Sequence, residues 1–237
     1  MIIAANFKTN KTRKESAAYI EALENFLDSN EITQEVIAFP PATALDRFLT
    51  QVRIGVQNAY PTHNGAYTGE IGLDQIVEFD ITTVLIGHSE RRHVLGESQS
   101  LITQKFNFFK EQGFEIVYCI GEPLEIRESG NDALMAYLAD QLEGIDLSYD
   151  KLVIAYEPVW AIGTGLTPSE HDIELIHTAL KHKCSKPLLY GGSVKANNAR
   201  TILALDNVDG ILVGSGALDV NDFCSMIMDA EKLEKEI

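Results

Sequence analysis

The chain has 237 residues, of which 45% are hydrophobic and 23% charged, and it carries a formal net charge of −16. That length fits one α/β barrel of the usual size of about 250 residues, and no apolar run reaches the roughly 18 residues that a membrane span requires. So large an acidic excess would repel the phosphates of nucleic acid, and an anionic small molecule would have to be attracted locally, by a lysine and a few backbone N–H groups.

The amino terminus runs Met1-Ile2-Ile3-Ala4-Ala5 straight into Asn6-Phe7-Lys8 with no basic leader or long apolar core. It reads as a first strand and not as a secretion signal, so a cytoplasmic location is expected. Short runs rich in Val, Ile and Leu then alternate with segments of helical period, the sequence form of successive βα units. Strands are predicted at residues 2–5, 36–39, 54–57, 83–86, 116–119, 152–156, 188–190 and 211–213, each short enough to be buried on both faces. Helices are predicted between them. Ile20, Leu23 and Leu27 line one face of the first, and Ile173, Ile176 and Leu180 one face of the sixth, as stripes that pack onto a sheet. Two start signals precede the sixth helix: Thr167 with Pro168 next and Glu170 three on, or Ser169 with Asp172 three on. The sequence does not choose between them.

No Gly/Ser/Pro-rich linker divides the chain, so residues 1–237 are expected to form one domain. Eight units, with glycines after the last two strands, favour a closed (β/α)8 barrel over a doubly wound sheet of five or six strands. Cys119, Cys184 and Cys224 are odd in number and far apart, which suits neither a disulfide framework nor a zinc site.

Active sites of such barrels lie at the carboxyl ends of the strands. The polar residues there are Asn6 and Lys8 after the first strand, His88, Ser89 and Glu90 after the fourth, Glu157 after the sixth, Gly191, Gly192 and Ser193 after the seventh, and Gly214 and Ser215 after the eighth. They make no metal set, and no cofactor is expected. Glu157 follows Leu-Val-Ile-Ala-Tyr and precedes Pro158-Val159-Trp160, an apolar setting that would raise a carboxylate's proton affinity and suit a general base. His88 opens a segment read as helical, whose N–H groups could keep the ring neutral so that it donates to a substrate carbonyl. Glu90-Arg91-Arg92 reads as rim salt bridges. The turns Gly191-Gly192-Ser193 and Gly214-Ser215-Gly216 together suggest backbone N–H groups closing around a phosphate. Trp160-Ala161-Ile162-Gly163-Thr164-Gly165 has the glycines of a loop that swings over a ligand and excludes water.

Asn6-Phe7-Lys8, Gly87-His88-Ser89-Glu90-Arg91-Arg92, the run from Ala155 to Gly165, Tyr190-Gly191-Gly192-Ser193 and Leu212-Val213-Gly214 resemble the triosephosphate isomerase family, in the family's order and over essentially the whole chain. The resemblance implies a TIM barrel without cofactor or metal that interconverts dihydroxyacetone phosphate and D-glyceraldehyde 3-phosphate in glycolysis and gluconeogenesis. It implies Glu157 as base, neutral His88 polarising the carbonyl, and Lys8 and Asn6 on the developing oxyanion, with the phosphate on Gly163, Ser193, Gly214 and Ser215. The glutamate base, the neutral histidine and the closing loop are thus the family's features, carried over by resemblance. The resemblance also matches Cys119 to a position tied to folding, and Gly65-Ala66-Tyr67-Thr68-Gly69-Glu70 to a loop that enters a second subunit, which implies a homodimer. Three residues depart from the family pattern. Ser215 replaces a frequent glycine, Leu166 a frequent lysine, and Pro168 an alanine whose N–H meets the tyrosine corresponding to Tyr190 when the lid closes. Proline has no such group: either the register differs here, or the closed lid is latched less firmly and turnover is slowed without a change of reaction. Other phosphate-binding barrel enzymes fit less well: an aldolase needs a lysine inside the barrel, a metal-dependent epimerase needs clustered His and Asp ligands, and a scaffold without activity need not keep Lys8, His88 and Glu157 together.

Overall fold

The computed structural model describes residues 1–162 and 168–236. Its eight strands are β1 (Ile2–Asn6), β2 (Glu35–Phe39), β3 (Arg53–Val56), β4 (Thr83–Ile86), β5 (Glu115–Ile120), β6 (Leu152–Tyr156), β7 (Leu188–Tyr190) and β8 (Gly210–Val213). All pair in parallel and in chain order, and β8 closes on β1 with Ile2 opposite Gly210 and Ala5 opposite Val213. The sheet is therefore the closed (β/α)8 barrel expected, with each predicted strand present and its ends shifted by at most a residue or so.

Alternation along each strand divides the core into two layers. Ile2, Ala4, Ile37, Phe39, Leu85, Val117, Cys119, Val153, Ala155, Leu189 and Leu212 fill the barrel interior. Ile3, Ala5, Val36, Val84, Ile116, Ile154 and Tyr156 face outward onto the helices. The same parity, continued one step, aims Asn6 and Glu157 inward at the mouth.

Of the helices, α1 (Arg13–Asn30) starts on a capping box: Glu15 N–H donates to Thr12 Oγ1 at 3.3 Å and Thr12 N–H to Glu15 Oε2 at 2.7 Å. It buries Ile20, Leu23 and Leu27 as predicted. Next come α2 (Leu73–Val77), α3 (Gln99–Glu111), α4 (Leu124–Glu128), α5 (Asn131–Gln141), α6 (Glu170–Lys183), α7 (Ala199–Leu203) and α8 (Val220–Glu236). Ser169 caps α6, accepting the Asp172 N–H at 3.1 Å, which decides between the two start signals. Thr167 lies outside the described residues. No helix among the described residues is long and apolar enough to cross a membrane.

One connection departs from the predicted alternation. Between β2 and β3, residues 40–52 form only a single tight turn, Ala42–Ala44, in place of a helix. Pro40 and Pro41 supply no N–H groups and hold the residues before them extended, so no helix starts before Ala42. Buried Leu45 and Val52 do the covering, and Gln51 ties the loop to α1 through its N–H on Glu24 Oε2 (3.0 Å) and its amide on Asp28 (2.7 Å).

Candidate active site

The polar residues predicted at the strand ends gather in a chamber of about 140 Å³, lined among others by Asn6, Lys8, His88, Glu157, Ser193, Gly214 and Ser215. Gly163 and Leu166 lie outside the described residues. Glu157 is buried at the end of β6, its backbone N–H donating to the Ile120 carbonyl at 2.7 Å. Its Oε1 lies 3.0 Å from His88 Nε2, and its Oε2 accepts the Ser89 N–H at 2.9 Å. The Glu90 N–H donates to His88 Nδ1 at 3.3 Å, which assigns the ring proton to Nε2. This N–H favours a neutral ring, in the direction expected for backbone donors here, and the carboxylate facing Nε2 opposes it.

The electrostatics of the pair run against the simple expectation for a buried carboxylate. Burial pushes the Glu157 carboxyl up, but His88, the Ser89 N–H and Lys8 together bring it below the ordinary glutamate value. Burial pushes the His88 ring down, and the facing Glu157 carboxylate more than restores it, so the net shift is upward. Each partner favours the other's charged form for as long as nothing lies between them.

Lys8 sits in the left-handed backbone region, with φ +52°, a strained conformation held by its surroundings. Its N–H donates to Asn6 Oδ1 at 3.0 Å, and its carbonyl accepts the Gln57 amide at 2.8 Å. The same Gln57 nitrogen donates to the Phe39 carbonyl at 2.9 Å. Lys8 Nζ lies 2.6 Å from Glu90 Oε1.

Arg91 and Arg92 take structural partners, as read from the sequence. Arg91 pairs with Glu97, while Arg92 donates to the Gly87 carbonyl at 2.7 Å and to the Cys119 carbonyl at 3.1 Å. Glu90 does not share their role, because it faces both Lys8 and His88. Residues 90–94 form one wide turn, the Leu95 N–H reaching back to the Glu90 carbonyl at 3.0 Å, and the regular helix α3 begins only at Gln99.

The glycine turns differ from each other. The Gly191 N–H donates to the Tyr156 carbonyl at 2.7 Å, and Cβ atoms on Gly191 and Gly192 would meet Glu157 Cγ at 2.8 Å and the Tyr190 hydroxyl at 2.2 Å. These two glycines make room for neighbouring side chains. Ser193 and Ser215 donate their N–H groups to no protein acceptor among the described residues, and both line the chamber. Cys119 is buried beside Glu157, its thiol pushed up by burial and by that carboxylate.

Sequence reasoning did not find Glu122. It is fully buried behind the chamber, and its Oε1 accepts the Trp160 indole N–H at 2.9 Å and the Tyr156 hydroxyl at 3.1 Å, so it anchors the start of the predicted lid. The only signal was its place just past β5, where a polar residue invites inspection.

The family model described as triosephosphate isomerase matches residues 1–230. The chain is similar to the triosephosphate isomerase of Sulfurimonas denitrificans, 57% identical over 236 residues covering 100% of this chain and 98% of the relative. It is 56% identical over 227 residues to that of a Sulfurovum species, and 55% identical over 229 residues to that of Wolinella succinogenes, each alignment covering 96% of this chain and 99% of the relative. The chain belongs to the triosephosphate isomerase family.

Proposed function

We propose that Glu157, His88, Lys8 and Asn6 carry out the isomerisation that membership of the family gives this chain, the interconversion of dihydroxyacetone phosphate and D-glyceraldehyde 3-phosphate. The observation that carries this assignment is the 3.0 Å approach of His88 Nε2 to Glu157 Oε1 at the mouth of the barrel. A carbon acid inserted between them meets a carboxylate on one side and an N–H donor on the other. Glu157 takes a proton from the hydroxymethyl carbon, the C–H electron pair becomes the C=C bond, and the carbonyl π pair moves to oxygen. Nε2–H of His88, Lys8 Nζ and Asn6 stabilise that oxygen as an enediolate. His88 then relays a proton between the two enediol oxygens, and Glu157 returns its proton to the neighbouring carbon.

Substrate insertion also tunes the base. It separates Glu157 from His88, removing the strongest influence that lowers the carboxyl and leaving burial, which raises it. On His88 the same separation removes the strongest influence that favours protonation and leaves burial and Lys8 opposing it against Glu90 alone, which favours the ring as a neutral donor. The phosphate rests on the turns of Ser193, Gly214 and Ser215, with Gly163 from the lid. Pro168 has no N–H to give Tyr190, whose buried hydroxyl has no partner among the described residues, and this supports a less firmly latched lid.

The chain acts as one catalytic domain and as a cytoplasmic homodimer. A cavity of about 650 Å³ beside Lys8 and His88, lined by Pro41, Leu45, Ile71, Val94 and Leu95, suits the loop containing Thr68 from a second copy. Val94 is 76% exposed and Leu95 65%, apolar surface that such a loop would cover. A dimer mass in sedimentation velocity supports this, and a monomer at micromolar concentration overturns it.

The proton-transfer reading is tested by running the reaction in D2O. Solvent deuterium incorporated at the carbon that receives the proton supports an enediolate, whereas complete retention of substrate hydrogen points to hydride transfer.

A further inference from the structure

The charges around the chamber do not favour an anion. Glu157 and Glu90 are acidic, and Lys8 is already paired with Glu90 at 2.6 Å. The whole chain adds a formal charge of −16. A phosphate dianion approaching this mouth is repelled unless an uncompensated cation stands there. Lys195 lines the chamber, is exposed, and among the described residues has no carboxylate partner for its ammonium group.

Its position is built and not incidental. The Lys195 N–H donates to Asn198 Oδ1 at 2.8 Å, the Asn198 N–H returns to the Lys195 carbonyl at 3.1 Å, and Asn198 Nδ2 donates to the Ser193 carbonyl at 3.1 Å. One asparagine thus fixes the turn that carries both Ser193 and Lys195. A cation at the mouth of a cleft raises the rate of encounter with an anion, an effect that salt screens. Encounter matters here because this family is itself an example of enzymes working near the diffusional ceiling of kcat/KM.

We infer that Lys195 is a steering residue that draws the substrate's phosphate group into the turn after β7. The inference rests on the phosphate reading of that turn given above. Its test is kcat/KM against ionic strength for the wild type, Lys195→Gln, Lys195→Arg and Lys183→Gln, the last removing the same charge at the end of α6, on the opposite face of the barrel. At low salt, Lys195→Gln is expected to lose about three- to tenfold in kcat/KM, carried by KM, while Lys195→Arg and Lys183→Gln stay near wild type. The deficit should close by about 0.5 M salt. An equal loss in Lys183→Gln, a loss that salt does not relieve, or no loss at all overturns the proposal. Competition by inorganic phosphate separates the two readings. If phosphate inhibits wild type and Lys195→Gln equally, the turn binds phosphate but Lys195 is idle; if it inhibits neither, the phosphate site itself is wrong.

Discussion

A Cβ placed on Gly191 would come within 2.8 Å of Glu157 Cγ, so the end of β7 is bare at the point where the candidate base lies. Glu157 has no room to retreat from an added methyl, because its carboxylate is held on one side by the Ser89 N–H and on the other by His88. Gly191→Ala is expected to displace the carboxylate by a fraction of an ångström to an ångström and lower kcat by up to about 10²-fold. Circular dichroism should remain that of the wild type. A kcat within twofold of wild type would mean that the close packing of these two residues is not functional.

Gln57 holds the strained backbone of Lys8 from behind, bonding the carbonyls of both Lys8 and Phe39. Gln57→Ala frees both carbonyls and lets Lys8 relax from φ +52°. We expect a loss of about 1–2 kcal/mol in stability, together with a fall in kcat of about tenfold as Nζ leaves its position. Urea midpoints and steady-state kinetics on one preparation check both. A stability loss with unchanged kcat would show that Lys8 does not need this support.

Acid sensitivity should come in part from the opposite end of the barrel. Glu231 is buried, and although burial pushes its carboxyl up, the Thr33 N–H (3.0 Å), Lys235 (3.0 Å), Gln34 (3.2 Å) and the Thr33 hydroxyl (3.0 Å) pull it down to about 2. A depressed carboxyl stabilises the fold fully above its unfolded value near 4.5 and loses that contribution as pH falls toward about 2. The shift corresponds to about 3 kcal/mol as an upper figure. Glu231→Gln should therefore flatten the fall in urea midpoint between pH 5 and pH 2, windows set by those two values. An unchanged slope would remove Glu231 from the account.

Lys105 is almost completely buried in α3, with Nζ on Glu97 and, at 2.6 Å, on Asn58 Oδ1. Lys105→Met leaves the buried Glu97 with only Arg91 and is expected to cost about 3–5 kcal/mol. Replacing both partners, as Lys105→Met with Glu97→Gln, should recover much of that loss, because no buried charge is then stranded. A double variant no more stable than the single one would contradict the pairing.

The barrel and the identities of its mouth residues were legible because both follow from local rules. The period of two along 152–156 turns Val153 and Ala155 inward and with them Glu157, and the same count carries Ile2 and Ala4 to Asn6. The stripe of Ile20, Leu23 and Leu27 marked α1, and Ser169 was one of two signals offered for α6. What the sequence hid depends on distant contacts. Nothing near Glu90 announces that it will meet Lys8, which lies 82 positions away. Nor does Gly191-Gly192 reveal that its glycines clear space for Glu157 and Tyr190. The missing helix after β2 could have been read from Pro40-Pro41 and the shortness of the segment, but regular alternation outweighed them. The depressed Glu157 carboxyl required knowing that His88 faces it, since the apolar neighbours in the chain argue the other way.

The central claim is that Glu157 removes the substrate proton, and the kcat of Glu157→Gln beside the wild type tests it most directly. Glutamine keeps the shape and can still accept the Ser89 N–H but cannot take a proton. A fall of at least about 10²–10⁴-fold with the fold intact is predicted. Turnover comparable to wild type would contradict the assignment of the base and with it the mechanism built on the Glu157–His88 pair.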